Sequence, residues 1–166
     1  MALALLPGAV FATAPADEAG FAQVYLVRHA EKEPAAEDPA LSEAGKLRAL
    51  QLAQLLEDAG IAYVFSTDFA RSRDTVAPLA ARLGITVTIY NWNEMDALAA
   101  KLTVPGRCSL VVGHSDTTPE LVGILGGDPG SPLDEPEEYD RLYVVTIAAD
   151  GAVTSELRRY GEPYRP

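Results

Sequence analysis

Two histidines occur in the 166-residue chain, His29 and His114. Each directly follows a short apolar run, in "VYLVRHAEKE" (Val24–Glu33) and "LVVGHSDTTP" (Leu110–Pro119). Arg28 precedes the first histidine, and "STDFARSRDT" brings Arg71 and Arg73 behind another apolar run. Imidazole near neutral pH can serve as nucleophile, proton carrier or donor to an oxyanion. Guanidinium presents a rigid fork that matches phosphate oxygens. Two histidines with up to three arginines therefore favour phosphoryl chemistry, with the positive charge supplied by side chains and no metal expected. Taken singly, each residue has a plainer reading. A histidine at a strand end often only hydrogen-bonds, an arginine on an acidic protein often only forms a surface ion pair, and two histidines can hold a metal. The set is informative where no single member is.

Residues so far apart must be gathered by the fold. Gln23–Arg28 reads as a buried strand. Ser42 is a plausible N-cap with Glu43 in the first turn, Ala49, Leu52, Ala53 and Leu56 form an apolar helical stripe, and Gly60 is a natural C′ stop. Ile61–Phe65 is the next strand. A helix is expected over about Phe69–Leu83, with a kink or early break at Pro78. Ile85–Tyr90 and Ser109–Val112 read as strands, Glu94–Leu102 and Pro119–Leu125 as helices. The acidic, proline-rich "GDPGSPLDEPEEYD" predicts a solvated surface loop. Arg141–Ala148 and Ala152–Tyr160 flank an Asp150-Gly151 turn and predict a hairpin. The pattern predicts an α/β three-layer sandwich: a mostly parallel central sheet with an antiparallel edge hairpin and helices on both faces. In open α/β sheets the ligand crevice lies beyond the carboxyl ends of the strands. After the four parallel strands come Arg28-His29, then Arg71 and Arg73, then Asn91-Trp92-Asn93-Glu94, then His114-Ser115-Asp116.

The bulk properties narrow the function. A hydrophobic content of 48% and charged content of 22% suit a globular protein. The length suits one domain over 21–166. A formal net charge of −11 argues against nucleic-acid binding and requires any anionic substrate to be captured by local positive charge. No apolar run approaches the roughly 20 residues of a membrane-spanning helix. Cys108, the single cysteine, reads as a small apolar residue at a strand start. Residues 1–20, "MALALLPGAVFATAPADEAG", carry an apolar stretch and an "ATA" that fits a cleavage site, without a basic n-region. They are expected to be an export signal, or else an apolar arm packed on the domain. Export would make the protein periplasmic or secreted; an arm would leave it cytoplasmic.

Together these motifs carry a resemblance. "LVRHAEK" resembles the Arg-His-Gly/Ala-Glu signature of the histidine phosphatase superfamily, the phosphoglycerate mutase-like family. "LSEAG" is similar to the family's segment at the start of its first helix. "STDFARSRDTVAP" resembles its arginine motif, with Arg71 and Thr75 at the expected spacing and Arg73 at a variable one. "VVGHS" resembles the second histidine motif. The matches run in family order from about residue 23 to 118.

The resemblance implies a phosphatase that needs no cofactor and no metal. His29 would be the nucleophile, phosphorylated in passing, and Arg28, Arg71 and His114 would bind the phosphate oxygens. It also implies that the second ring nitrogen of His29 is held by an acceptor such as a backbone carbonyl. The family's general acid has no clear counterpart; Asp116 and Glu94 are the candidates. The substrate would be a phosphorylated small molecule or a phosphoprotein. Two alternatives stay open: phosphoglycerate mutase-like phosphotransfer, and a non-catalytic module that binds phosphate or a phosphoprotein. Glu31, Lys32 and Arg73 have no assigned role, and Trp92 is expected to be partly buried.

Overall fold

The computed structural model describes residues 20–34, 37–135 and 137–166. The expected export signal or arm falls on residues 1–20 and, apart from Gly20, lies outside the described residues. Six strands form one sheet: β1 (Phe21–Arg28), β2 (Tyr63–Ser66), β3 (Val87–Ile89), β4 (Cys108–Gly113), β5 (Arg141–Ala148) and β6 (Val153–Arg159). Between them run four helices: α1 (Glu43–Leu56), α2 (Ala70–Leu83), α3 (Met95–Leu102) and α4 (Thr117–Ile124). The spatial order is β3-β2-β4-β1-β5-β6. The first four strands are mutually parallel where they pair, and β5 and β6 complete an antiparallel edge.

Strand periodicity divides the core into two layers. Val24 and Leu26 of β1 point to the face covered by Leu98 and Leu102 of α3 and Leu121 of α4. Tyr25 and Val27 point the other way, against Leu52 and Leu56 of α1 and Val76 and Leu79 of α2. Both faces of β1 are thus covered, which explains why its sequence runs apolar without alternation. Helices α1 and α2 share one face while α3 and α4 share the other, so the connections leaving β1 and β4 diverge. The gap between these neighbouring strands opens at their carboxyl ends, where open α/β sheets bind ligands.

Several expectations are corrected. Helix α2 runs unbroken through Pro78. An interior proline costs about 3 kcal/mol, but Val76 and Leu79 on either side are fully buried, each contributing about 1.5–3 kcal/mol. Helix α1 ends at Leu56, so Gly60 is not its C′ residue; with φ +75° it closes the turn that follows. The edge strand β3 holds only Val87–Ile89, paired with β2. The acidic loop is not wholly solvated: Glu138, Tyr139 and Asp140 are buried at its end. Strand β5 runs antiparallel to β1, pairing Leu142 with Val27. The residues just before β5 must therefore lie beside the carboxyl end of β1, and arginines neutralise their charge there.

Candidate active site

Register brings the two histidines together. Strand β1 pairs with β4 so that Arg28 faces Gly113, and the next backbone step is an N–H of His29 donating to the Gly113 carbonyl at 2.9 Å. His29 and His114, each one residue past its strand, thus stand side by side with ring centroids 5.4 Å apart. Gly113 tolerates no side chain, since a Cβ there would fall 2.9 Å from the Thr118 hydroxyl and 3.0 Å from that of Thr117.

The tautomer of His29 follows from its neighbour. Nδ1 lies 2.8 Å from the carbonyl oxygen of Ala30. A carbonyl can only accept, so Nδ1 carries the proton and Nε2 keeps its lone pair. Burial pushes the His29 pKa down to about 3; the Ala30 carbonyl opposes this, and Arg28, Arg71 and His114 push further down. The ring is therefore neutral at physiological pH. His114 is lowered to about 4, chiefly by burial and then by Arg71, with Asp116 opposing. Its Nε2 lies 3.0 Å from Thr67 Oγ1, and Phe69 meets the ring edge-on at 5.1 Å.

Arg28 is almost fully buried. Its guanidinium lies 4.0 Å over the ring of Tyr139, Nη1 donates to the Glu138 carbonyl at 2.9 Å, and Nη2 lies 2.5 Å from a carboxylate oxygen of Glu135. Arg71 stacks 4.4 Å over Phe69 and keeps only a loose ion pair with Asp38 at 3.8 Å. The Nε atoms of both arginines are buried without a hydrogen-bond partner among the described residues. Thr75 ties the arginine motif to the histidine motif. Its hydroxyl accepts from the Ala30 N–H at 2.9 Å and donates to the Arg71 carbonyl at 2.7 Å.

Arg28, His29, Arg71 and His114 line one cleft of about 330 Å³. The two candidate acids part company. Asp116 lines the cleft and caps α4, accepting from the Thr117 N–H at 2.7 Å. Glu94 precedes α3, accepts from the Asn91 side chain at 3.1 Å, is exposed, and is not on the lining. Lys32 and Trp92 also line the cleft, and Trp92 is 46% exposed. Arg73 is exposed, paired with Asp68 and off the lining. Glu31 is structural: its carboxylate takes Arg48 Nε at 2.9 Å and Nη2 at 2.8 Å, while Arg48 also binds the carbonyls of Tyr160 and Glu162. Cys108 starts β4 outside the cleft, its thiol pushed up to about 11 by burial.

Sequence reasoning missed Glu135, Tyr139 and Thr67. The first two hid in an acidic stretch whose charge suggested solvent. A signal was present, because a loop leading into a strand antiparallel to β1 must end beside Arg28. Thr67 follows β2 directly, but a lone threonine there carries no distinctive signature.

A family description, the histidine phosphatase superfamily (branch 1), matches residues 24–100. That span holds Arg28, His29 and Arg71, while His114 lies beyond it. A protein of Erwinia tasmaniensis assigned as the phosphoglycerate mutase GpmB is 36% identical over 74 residues, covering 40% of this chain. The match spans 34% of the relative's own length. Among solved structures, the protein histidine phosphatase SixA complexed with tungstate has a TM-score of 0.65 at 17% identity, over 83% of this chain and 95% of that one. A mycobacterial glucosyl-3-phosphoglycerate phosphatase gives 0.62 at 15% identity, over 84% and 98%. At such identities these two speak for the fold alone. A protein of Agrobacterium tumefaciens assigned as the phosphohistidine phosphatase SixA reaches 25% identity with a TM-score of 0.62, over 85% and 98% of the two chains. The family pattern runs through Arg28, His29 and Arg71 within residues 24–100, and the fold is shared over 83–85% of this chain, so it is the histidine phosphatase superfamily that this chain is similar to.

Proposed function

We propose that the protein is a metal-independent phosphatase working through a phosphohistidine on His29. The observation that carries this is the His29 Nδ1–H donating to Ala30, which turns a neutral Nε2 toward a cleft walled by two guanidiniums and a second imidazole. Nε2 attacks phosphorus in line, the N–P bond forms, and the P–O bond to the leaving group breaks. Arg28, Arg71 and His114 stabilise charge on the three equatorial oxygens. Water then attacks the phosphohistidine, the N–P bond breaks, and inorganic phosphate leaves. Asp116 is the better placed of the two candidate proton donors, and a leaving group of low pKa needs little protonation.

The substrate is a phosphorylated small molecule or phosphoprotein; the names of the structural relatives span both kinds. Export directed by residues 1–20 belongs to the same proposal, checked by mass spectrometry of the mature N-terminus. The central test is rapid acid quench and alkaline quench with a 32P-labelled aryl phosphate in excess chelator. Wild type should carry an acid-labile, alkali-stable label on His29, and His29→Ala should carry none and lose turnover. Undiminished turnover by His29→Ala would remove the nucleophile. Activity abolished by chelator would remove the metal-free mechanism. Phosphate binding by a wild-type protein that turns over no ester would favour the binding module. Phosphoglycerate mutase-like transfer is separated by product analysis, since it returns phosphate to the acid in place of releasing it.

A further inference from the structure

The donors of Arg28 are unequally committed. Nη1 is engaged by the Glu138 carbonyl at 2.9 Å and Nε is buried. Nη2 is the donor an oxyanion in the cleft would meet, and it already lies 2.5 Å from a carboxylate oxygen of Glu135. Glu135 belongs to the cleft lining and its side chain is 50% exposed. We propose that Glu135 is a specificity-determining residue, which makes the cleft select phosphate carried on a neutral or cationic group. The inference takes from the phosphatase reading only the position of the phosphate.

Electrostatics sets this preference. An incoming phosphate takes Nη2, so the carboxylate must move off the guanidinium. Its backbone keeps it on the cleft wall, beside the group that carries the phosphate. Asp116 lines the same cleft. Once phosphate engages both arginines, the charges left on the lining are Lys32 against the two carboxylates, on a protein whose formal net charge is −11. A second anionic group on the substrate meets like charge within a few ångströms, and a neutral or cationic group does not. Glu135 also competes with the phosphate itself for Arg28, so its removal strengthens phosphate binding.

The test compares two esters that differ by one charge, 4-carbamoylphenyl phosphate and 4-carboxyphenyl phosphate. Binding of each, and of inorganic phosphate, is measured by titration calorimetry on wild type and Glu135→Gln, both in a His29→Ala background so that neither ester is turned over. Wild type should bind the neutral ester about tenfold more tightly than the anionic one. In Glu135→Gln that preference should fall to about twofold or threefold, and inorganic phosphate should bind about fivefold more tightly. A half-exposed loop side chain leaves folding intact, which a thermal melt of the variant verifies. No preference in wild type, or the same preference in both proteins, would overturn the role of Glu135. A folded wild type that binds none of the three ligands would overturn the phosphate site itself, and the two failures are thereby told apart.

Discussion

His29 and His114 meet with ring centroids 5.4 Å apart and planes inclined at 65°. Each ring has one nitrogen held by a fixed partner, the Ala30 carbonyl for His29 and the Thr67 hydroxyl for His114. Two imidazoles this close cannot both be charged cheaply, least of all with two guanidiniums on the same cleft. The pair is therefore built to be neutral.

That neutrality is directly measurable, because the chain has only these two histidines. Their pKa values are lowered from 6.5 to about 3 for His29 and about 4 for His114. In proton NMR, neither imidazole Cε1–H should titrate between pH 8 and 5. Since the unfolded chain binds protons near 6.5 and the folded chain does not, the stability they confer is complete above that value. It is lost progressively as pH falls toward about 3. A folded protein with a histidine titrating near 6.5 would contradict this electrostatic picture.

Thr67 should act on the reaction through His114. Thr67 is fully buried and its hydroxyl is 3.0 Å from Nε2 of His114. Thr67→Val keeps the shape but removes the partner, leaving a buried ring nitrogen unpaired at a cost of about 1–3 kcal/mol. The ring is then free to turn away from the oxygens it would bind. We expect kcat to fall about tenfold or more while KM moves less than about threefold. Equal losses in Thr67→Ser and Thr67→Val would show that volume, and not the hydrogen bond, matters.

Two glycines give a paired test of packing. A Cβ on Gly45 would lie 2.0 Å from the carbonyl oxygen of Glu31, the same oxygen that accepts from the Ser42 N–H at 3.0 Å. The first turn of α1 docks directly on the backbone two residues after His29. Gly45→Ala should therefore cost about 2–4 kcal/mol and lower Tm by about 5–12 °C. Gly123 sits inside α4 with nothing within 4 Å of its built Cβ. There alanine should stabilise by about 0.5–1 kcal/mol, because only backbone entropy changes. Similar melting points for the two variants would refute the close approach.

These particulars show what a sequence can and cannot disclose. That Arg28, His29, Arg71 and His114 would converge on one cleft was legible because strand ends, helix starts and motif spacing are local patterns. Even the tautomer of His29 could be anticipated, since a nucleophilic nitrogen requires an acceptor on the other. Glu135, Glu138 and Tyr139 were not legible, because charge density in a stretch of sequence does not say which carboxylates will find arginines. The burial of Glu138 depends on Arg141 and Arg159, set by the pairing of β5 with β6, while Glu135 and Tyr139 meet Arg28. Pro78 misled for a related reason: a local breaker was outweighed by the core on which Val76 and Leu79 pack. Glu94 and Asp116 looked equivalent because each sits just before a helix, and only the three-dimensional cleft separates them.

Glu138 is the anchor of that hidden network, and its variants should reveal a link between stability and Arg28. Its carboxylate accepts from Arg141 Nε at 2.6 Å, Arg159 Nη1 at 2.6 Å and the Asp134 N–H at 2.9 Å. Its own carbonyl holds Arg28 Nη1. Burial pushes its pKa up, but the hydrogen bonds from Arg141, Asp134 and Arg159 outweigh this and bring it down to about 2 from 4.5. A carboxylate with a lowered folded-state pKa stabilises fully above its unfolded value and loses that contribution as pH falls through the folded one. Glu138→Gln, which leaves Arg141 buried beside a neutral amide, should cost about 3–5 kcal/mol at pH 7. In urea unfolding at a series of pH values, the gap between wild type and variant should be constant above about pH 5 and shrink as pH drops toward about 2. A gap that does not shrink would mean that the side chain acts by shape alone. Because the same residue's carbonyl fixes Arg28, the variant should also weaken binding of inorganic phosphate by about fivefold, even at temperatures where it remains fully folded.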